Sequence, residues 1–392
     1  MEPAEITREL AAIAGRGPCT DAERRAARAL ARRLRAAGRR PRTETVWVRP
    51  QWAAIWLVHV VLGIAGSVVS VDSPRVGLAV AGAAALSALG ELTGRVRVLA
   101  LLWPRRATQN VVAAAPDDRA PVRLVVAAPY DAARVATGTA RALGRVDGAV
   151  RRALGGRWPA PLGLLALALL AIAACAGARV AGVEDAWLGA VQLVPTVACL
   201  VATALLVDLA LTPASPGANA NGSAAAVAMA LVAELDARPP RRLDVELVLT
   251  GAGDGPALGM RAYVAARRKA FAAERVAVIA LEPSGGGEPR FWTHDGPLLG
   301  TRLHPRLARL AAEARGRPHR GRGVTAALRA RQAGWPAIAI GTLDDRGRAP
   351  HARERTDTAE EIDEAALEAA VELALKLVRR LDADLAQPRD AR

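Results

Sequence analysis

The chain has 392 residues, of which 52% are hydrophobic and only 3% aromatic, and its formal net charge of +15 is carried almost entirely by arginine. This length allows one large domain or two, with ample material for a buried core. The basic charge comes without an aromatic-studded basic stripe or a nucleic-acid motif, so we expect no nucleic-acid partner. Cys19, Cys175 and Cys199 are too few and too widely spaced for a disulfide framework or a zinc cluster.

The first 50 residues predict a helix followed by a strand. Residues 20–38 carry apolar side chains at helical spacing behind Thr20, a typical N-cap residue. Residues 43–48 alternate polar and β-branched side chains, which is typical of a strand. We assign both elements to a folded α/β domain.

Four apolar runs follow in two pairs, which we assign to segments 51–95 and 160–211. Most of these runs approach or exceed the ~20 residues that a helix needs to cross the hydrocarbon of a bilayer. Arginine is dense on both sides of each pair and sparse at the two tips, so the positive-inside rule predicts hairpins that enter from the cytoplasm. The sequence therefore predicts a multi-pass protein of the cytoplasmic membrane, with its soluble domain in the cytoplasm. Apolar helices buried in a soluble domain are the alternative.

The remaining segments, 96–159 and 212–392, show an α/β pattern. Residues 110–115 and 122–128 are short apolar runs separated by a turn, which predicts adjacent strands, and a basic loop leads to the second hairpin. After residue 212, strands alternate with helices. This alternation predicts a sheet covered by helices on both faces, with functional residues where strands run into loops.

One stretch carries the strongest functional signal. Residues 215–235, SPGANANGSAAAVAMALVAEL, form a turn that opens into a helix of small residues. This stretch resembles the G-A-N-D-N-x-S-G motif of metallopeptidase family 28, the aminopeptidase-type zinc exopeptidases, in which the Asp bridges two zinc ions. The resemblance implies a mixed sheet sandwiched between helices, with the two hairpins as insertions. The position of the bridging Asp is occupied by Ala220.

The resemblance continues in the family's order at four further places. The family has a His-x-Asp, a Glu-Glu pair that supplies the general base and a ligand, an Asp ligand after a strand, and a final His ligand. The corresponding residues here are Pro129-Tyr130-Asp131, Gly253 and Asp254, Glu282, and Arg353.

These replacements remove the chemistry that the family uses. A two-metal hydrolase requires a bridging carboxylate, several N and O ligands, and a base that reaches the metal-bound water. Ala220 and Gly253 have no side-chain donors, so we expect no bound cofactor and no peptide hydrolysis. We also expect Arg353 to supply the charge that the metals would have supplied, by pairing with Asp254 and Glu282. Further candidate cleft residues are Tyr130, Asn219, Asn221, His351 and Arg355.

The leading interpretation is a membrane-anchored, aminopeptidase-like pseudoenzyme that acts in binding, scaffolding or regulation. Its partners would be the bilayer and another membrane protein or a small peptide or amine. The alternative is an active zinc-dependent aminopeptidase or amidohydrolase with a rearranged site, whose ligands would be Asp131, Asp254, Glu282 and His351. A transporter is a third class, but the apolar runs carry very few ionisable residues.

Overall fold

Strands from the whole length of the chain form one mixed nine-stranded sheet. The computed structural model describes residues 1–94, 96–114, 120–136 and 138–386. The strand order is β1-β2-β4-β3-β5-β9-β6-β7, and β8 pairs with β6. The strands are β1 Pro41–Val48, β2 Arg106–Ala113, β3 Val122–Pro129, β4 Leu243–Thr250, β5 Val276–Leu281, β6 Glu288–Asp295, β7 Thr301–Arg302, β8 Arg317–Arg320 and β9 Ala337–Leu343.

The centre of the sheet is parallel and fully covered. Strands β4, β3, β5 and β9 run parallel, whereas β1 and β2 form an antiparallel edge, and β6 pairs antiparallel with β9 on the other side. The central strands are almost continuously apolar, as expected for strands that are buried on both faces. Their carboxyl ends meet at one edge, where sites form in sheets of this kind.

Helices cover both faces of the sheet. One face packs against α1 Pro3–Ala11, α2 Asp21–Ala36, α8 Ala224–Ala237, α10 Pro305–Glu313 and α12 Glu364–Ala386. The other face packs against α9 Leu258–Arg267 and α11 Ala326–Gln332. The predicted fold class, a mixed sheet sandwiched between helices, is therefore confirmed.

One predicted strand pairing is wrong. The run at 110–115 and the run at 122–128 are not neighbours, because β4 lies between β2 and β3. β3 is apolar at almost every position and pairs in parallel with β4 and β5 in the centre of the sheet. β2 carries Thr108, Gln109 and Asn110 and pairs antiparallel with β1 and β4. Proximity along the chain therefore does not decide which strands pair.

Four helices match the predicted apolar hairpins. They are α3 Trp52–Asp72, α4 Pro74–Thr93, α6 Pro161–Val180 and α7 Ala186–Leu211, and each is long and apolar enough to cross a membrane. They pack on one another around a core of their own, which includes Trp56, Ala81 and Leu169. Their outer faces expose large apolar side chains such as Val68, Leu86 and Leu200.

The segment that precedes the second hairpin differs from the prediction. The basic loop expected within 96–159 contains an amphipathic helix, α5 Gly138–Ala153. The arginines that suggested a loop recur at positions 141, 145 and 152, so they share one side of that helix.

A buried arginine joins the antiparallel edge to the helical layer. The side chain of Arg39 is 2% exposed and forms an ion pair with Asp236, with Nε–Oδ2 at 2.8 Å and Nη2–Oδ1 at 2.6 Å. It also donates to the carbonyls of Ala113 and Val245. One guanidinium therefore ties the turn after α2 to β2, to β4 and to the last turn of α8.

We expect Arg39→Ala to lower the free energy of unfolding by about 2–4 kcal/mol, because two carbonyls and a carboxylate would lose their donor. The measurement is thermal or denaturant unfolding of the purified full chain. Arg40→Ala is the matched control, since Arg40 is exposed, and it should change stability by no more than about 0.5 kcal/mol. Equal effects of the two substitutions would contradict the assigned role of Arg39.

Candidate functional site

The site is built around the turn that follows β4. Pro129 is the register partner of Thr250, so the ends of β3 and β4 lie side by side and Asp131 reaches the turn at 251–254. The two carboxylate oxygens of Asp131 accept from the backbone N–H groups of Gly253, at 2.7 Å, and Asp254, at 2.9 Å. Asp131 is thus a brace for the turn.

A second carboxylate supports the same turn from α2. Glu23 lies in the first turn of α2. Its carboxylate accepts hydrogen bonds from the backbone N–H of Ala252 at 2.7 Å and from Thr108 Oγ1 at 2.8 Å. Burial raises the pKa of both Glu23 and Asp131, and the negative charge of Glu23 adds to the rise at Asp131. Both carboxyl groups are fully buried, so neither faces a ligand.

Asp254 faces Arg353. A guanidinium nitrogen of Arg353 donates to Oδ1 of Asp254. The carboxylate side chain is 1% exposed, whereas that of Arg353 is 37% exposed. Among the described residues, Oδ2 of Asp254 has no hydrogen-bond partner. The arrangement is a buried carboxylate capped by a half-exposed arginine.

The loop that carries Arg353 has an unusual backbone. Both His351 and Arg353 adopt positive φ values, 57° and 65°, which are uncommon for residues with side chains. The Arg353 carbonyl accepts from Ala136 N at 2.8 Å. His351 contacts Thr356 Oγ1 at 3.2 Å and Glu361 at 3.5 Å, and Arg355 is exposed. Of this loop's candidate residues, Arg353 is the one whose side chain pairs with Asp254.

The turn at residues 218–223 keeps its shape through amide side chains. Asn219 donates to Pro350 O at 2.8 Å and accepts from Gly285 N at 2.8 Å. Asn221 donates to Asp131 O at 2.9 Å. Both amides hold neighbouring loops together, while the side chain of Ala220 is only a buried methyl group. The loop at residues 284–287 contains three glycines, which suggest flexibility. The hydrogen bond from Gly285 N to Asn219 holds this loop in place.

Asp357 is a site residue that sequence reasoning missed. Its carboxylate is buried and accepts from the backbone N–H groups of Asn219, at 2.6 Å, and Ala220, at 3.2 Å. Burial raises its pKa to about 6, although the two hydrogen bonds oppose the shift. The signal available in the sequence is the Asp357-Thr358 pair, which follows Arg353 by four residues.

Arg16 is a second missed residue. It is fully buried and donates to the carbonyls of Leu10, of Tyr130 at 2.7 Å and of Gly217 at 2.7 Å. Burial lowers its pKa to about 10, and the charges of Asp131 and Asp357 oppose the shift. No motif pointed to Arg16, because its role depends on loops that are distant in sequence.

Tyr130 and Glu282 are placed away from the pair of Asp254 and Arg353. Tyr130 is fully buried, and its hydroxyl donates to Gln109 O at 2.7 Å. Burial raises the pKa of Glu282 to about 8, and the nearby charge that adds to the rise is that of Asp295. Glu282 follows the end of β5 but faces Asp295 and the start of α11.

Gly253 and Pro129 occupy two further positions at which the family has functional side chains. A Cβ at Gly253 would lie 2.4 Å from Pro129 Cβ and 2.8 Å from Asp131 Oδ1. The turn therefore has no room for a side chain at the position of the family's general base. Pro129, at the position of a family His ligand, offers no donor atom.

Zinc does not fit this set of residues. Within residues 1–94, 96–114, 120–136 and 138–386, no group of three or more His, Cys, Asp or Glu side chains is arranged to hold a metal ion. Asp131, Asp254, Glu282 and His351 are not brought together: Asp131 is used by backbone groups, Glu282 faces Asp295, and His351 faces Glu361. Divalent zinc needs three or four convergent donors.

Comparisons with known proteins agree with this geometry at the level of the fold. The similar solved structures include a glutaminyl cyclase from Bacteroides thetaiotaomicron bound to N-acetylhistamine, with 12% identity, a TM-score of 0.53 and 96% of each chain covered. They also include a Zn-dependent exopeptidase from Parabacteroides distasonis, with 13% identity, a TM-score of 0.52, and 97% of this chain and 96% of that chain covered. LapB from Legionella pneumophila matches with 10% identity and a TM-score of 0.54, over 97% of this chain and 71% of that chain.

No curated protein matches the sequence. A family model, described as Peptidase family M28, matches residues 206–378, which include Ala220, Gly253, Asp254, Glu282 and Arg353. The sequence match over this segment and the fold of the whole chain confirm the resemblance to peptidase family M28 and its zinc-exopeptidase-like fold.

Proposed function

We propose that this protein is a membrane-anchored relative of the M28 peptidases that has lost its metal centre and acts by binding. The observation that carries the proposal is the contact between the Arg353 guanidinium and the buried Asp254 carboxylate. In the family both positions belong to metal ligands. Here the guanidinium of Arg353 supplies the positive charge that the resemblance implies for a metal ion.

The rest of the site supports the same conclusion. Ala220 cannot bridge two ions, and Gly253 cannot take a proton from a metal-bound water. Any side chain at position 253 would collide with Pro129 and Asp131. The packing of the backbone therefore leaves no room for the general base of the family. Three family positions without a donor atom leave no basis for the hydrolytic chemistry.

The site offers one exposed charged group to a small ligand. The exposed part of Arg353 suits a carboxylate or another anion, because guanidinium pairs well with planar anions. The carboxylate of Asp254 is 1% exposed, so it holds Arg353 in place and does not face the ligand. A short peptide or an amino acid derivative carries a carboxylate, so we assign the ligand to that chemical class.

Membrane anchoring rests on the two hairpins. Their outer faces would place many apolar side chains in water if the protein were soluble, and such a surface is rare in soluble monomers. The arginine-rich segments all lie at the end of the bundle that joins the α/β domain, which favours a cytoplasmic domain. The lipid bilayer is therefore the proposed primary partner.

We expect the purified full chain to contain far less than one zinc ion per molecule, even after incubation with zinc, and not to hydrolyse aminoacyl-nitroanilides. Elemental analysis and a chromogenic assay measure the two quantities. Stoichiometric zinc together with turnover that Asp254→Ala abolishes would instead establish an active metal-dependent peptidase. An N-terminal glutaminyl peptide should be included, because some structures of this fold are glutaminyl cyclases.

We expect Arg353→Met to lower the free energy of unfolding by about 1–3 kcal/mol, since a buried carboxylate would lose its donor. The value is moderate because Arg353 is partly exposed. Asp254→Asn in the same chain should recover much of the loss, by removing the unpaired charge. Arg355→Met is the matched control, and an equal loss in that variant would contradict the pairing.

We expect a cysteine at Ser73, at the tip between α3 and α4, to react with a membrane-impermeant maleimide on intact cells. A cysteine at Arg40, exposed on the α/β domain, should react only after permeabilisation. Both variants use a chain in which Cys19, Cys175 and Cys199 are replaced. The reverse labelling pattern would mean that the domain lies outside the cytoplasm. Labelling of both sites on intact cells would contradict the proposed hairpin topology.

A further inference from the structure

The exposed apolar side chains outside the four apolar helices are not scattered. Among the described residues, nearly all lie in segments that adjoin the domain end of the bundle: just before α3, just after α4, just before α6, or in the loop that contacts the start of α6. They are Trp47, Val96, Val98, Leu101, Leu102, Leu143, Val146, Leu154 and Leu299, and Met1 is the exception.

The helix α5 contributes two of these side chains, and a third, Leu154, follows directly after its end. Its apolar residues fall on one side at helical spacing, through Leu143, Val146 and Val150 to Leu154 just beyond its end. Leu143 is 44% exposed, Val146 is 62% exposed and Leu154 is 47% exposed. A surface helix of a soluble domain places such a side against the core. The apolar side of α5 instead points away from the protein.

The protein-facing side of α5 is held by polar contacts. Near its start, Arg141 pairs with Glu354 at 3.6 Å. Towards its end, Asp147 accepts a hydrogen bond from Trp158, which lies beyond the helix. Asp147 also pairs with Arg151, one turn further along the same helix, at 3.9 Å. The contacts with Glu354 and Trp158 attach the polar side of the helix and leave its apolar side exposed.

The arginines of α5 lie on the side of the helix opposite the apolar stripe. Arg141, Arg145 and Arg152 share that side at spacings of four and seven residues. A helix with an arginine-rich polar side and an exposed apolar side opposite it is typical of segments that lie in the headgroup region of a membrane. The basic charge is complementary to anionic lipids.

We propose that α5 lies in the plane of an anionic lipid surface, with its apolar side among the headgroups and with Arg145 and Arg152 on its polar side attracting the anionic lipid. This inference rests on the proposed membrane anchoring and adds a second, peripheral contact to it. The position of α5 supports the assignment, because only a short link joins it to Pro161, where α6 begins. Leu299, which is 83% exposed, lies in the neighbouring loop. The carbonyl of Pro297 in that loop accepts a hydrogen bond from the N–H of Ala160, directly before α6.

The contact would also place the cleft beside the membrane. Glu354, the partner of Arg141, is the neighbour of Arg353 in the chain, and Ala136 donates to the Arg353 carbonyl just before α5 begins. The helix on the lipid surface and the loop that caps Asp254 are therefore directly connected.

The test uses the full chain, with its native cysteines replaced, in single-copy nanodiscs. An environment-sensitive fluorophore is attached to a cysteine at Leu143, at Leu200 on the outer face of α7, or at Arg40 on the domain. We expect the probe at Leu143 to shift to shorter wavelength and to lose intensity with brominated lipids in discs of phosphatidylcholine with phosphatidylglycerol. The effect should weaken in pure phosphatidylcholine and after Arg145→Gln with Arg152→Gln, whereas the Arg40 probe should remain in water.

The outcomes separate this inference from the anchoring on which it rests. Quenching at Leu200 without quenching at Leu143 would overturn the role of α5 and leave the anchoring intact. No quenching at either position would overturn both. A wavelength shift at Leu143 without quenching would mean that protein covers the helix, which also overturns the proposal. Equal quenching at Leu143 in both lipid mixtures would overturn the requirement for anionic lipid.

Discussion

The hydrogen bonds from the turn after β4 to Asp131 are the constraint on which the site depends. The turn has no side chain at Gly253, so its conformation is set by carboxylates that accept its backbone N–H groups from two other elements. These bonds matter because they are shielded from water, where the loss of one would leave a buried N–H group unpaired. They fix the backbone of Asp254, which in turn fixes where its carboxylate meets Arg353.

The same arrangement shows how hydrogen bonds hold the loops of this site together. In a metalloenzyme the ion pulls its ligand loops together, and its removal would leave carboxylates that repel one another. Here each carboxylate has a different partner. Asp131 and Asp357 accept backbone N–H groups, while Asp254 is capped by Arg353. The loops are thus joined by hydrogen bonds that require no ion, with Arg16 and the amides of Asn219 and Asn221 completing the connections.

The border between the bundle and the sheet domain combines three features. The apolar helices expose their outer faces, α5 has an exposed apolar side, and the segments that join the bundle to the domain are rich in arginine. Each feature alone has an ordinary explanation. The proposed contact with lipid would account for all three, and it would lie close to the loop of Arg353 because Arg141 of α5 pairs with Glu354.

The sequence by itself determined the layers of the fold, the two apolar hairpins, and the loss of donors at Pro129, Ala220 and Gly253. These properties follow from local pattern and from residue type, which a linear sequence displays directly. Only the tertiary structure decided that β4 separates β2 from β3, that Glu282 faces Asp295, and that Arg16, Glu23 and Asp357 support the site. Those facts depend on which distant segments meet, and burial and hydrogen bonding in the folded chain decide that, whereas spacing along the chain does not.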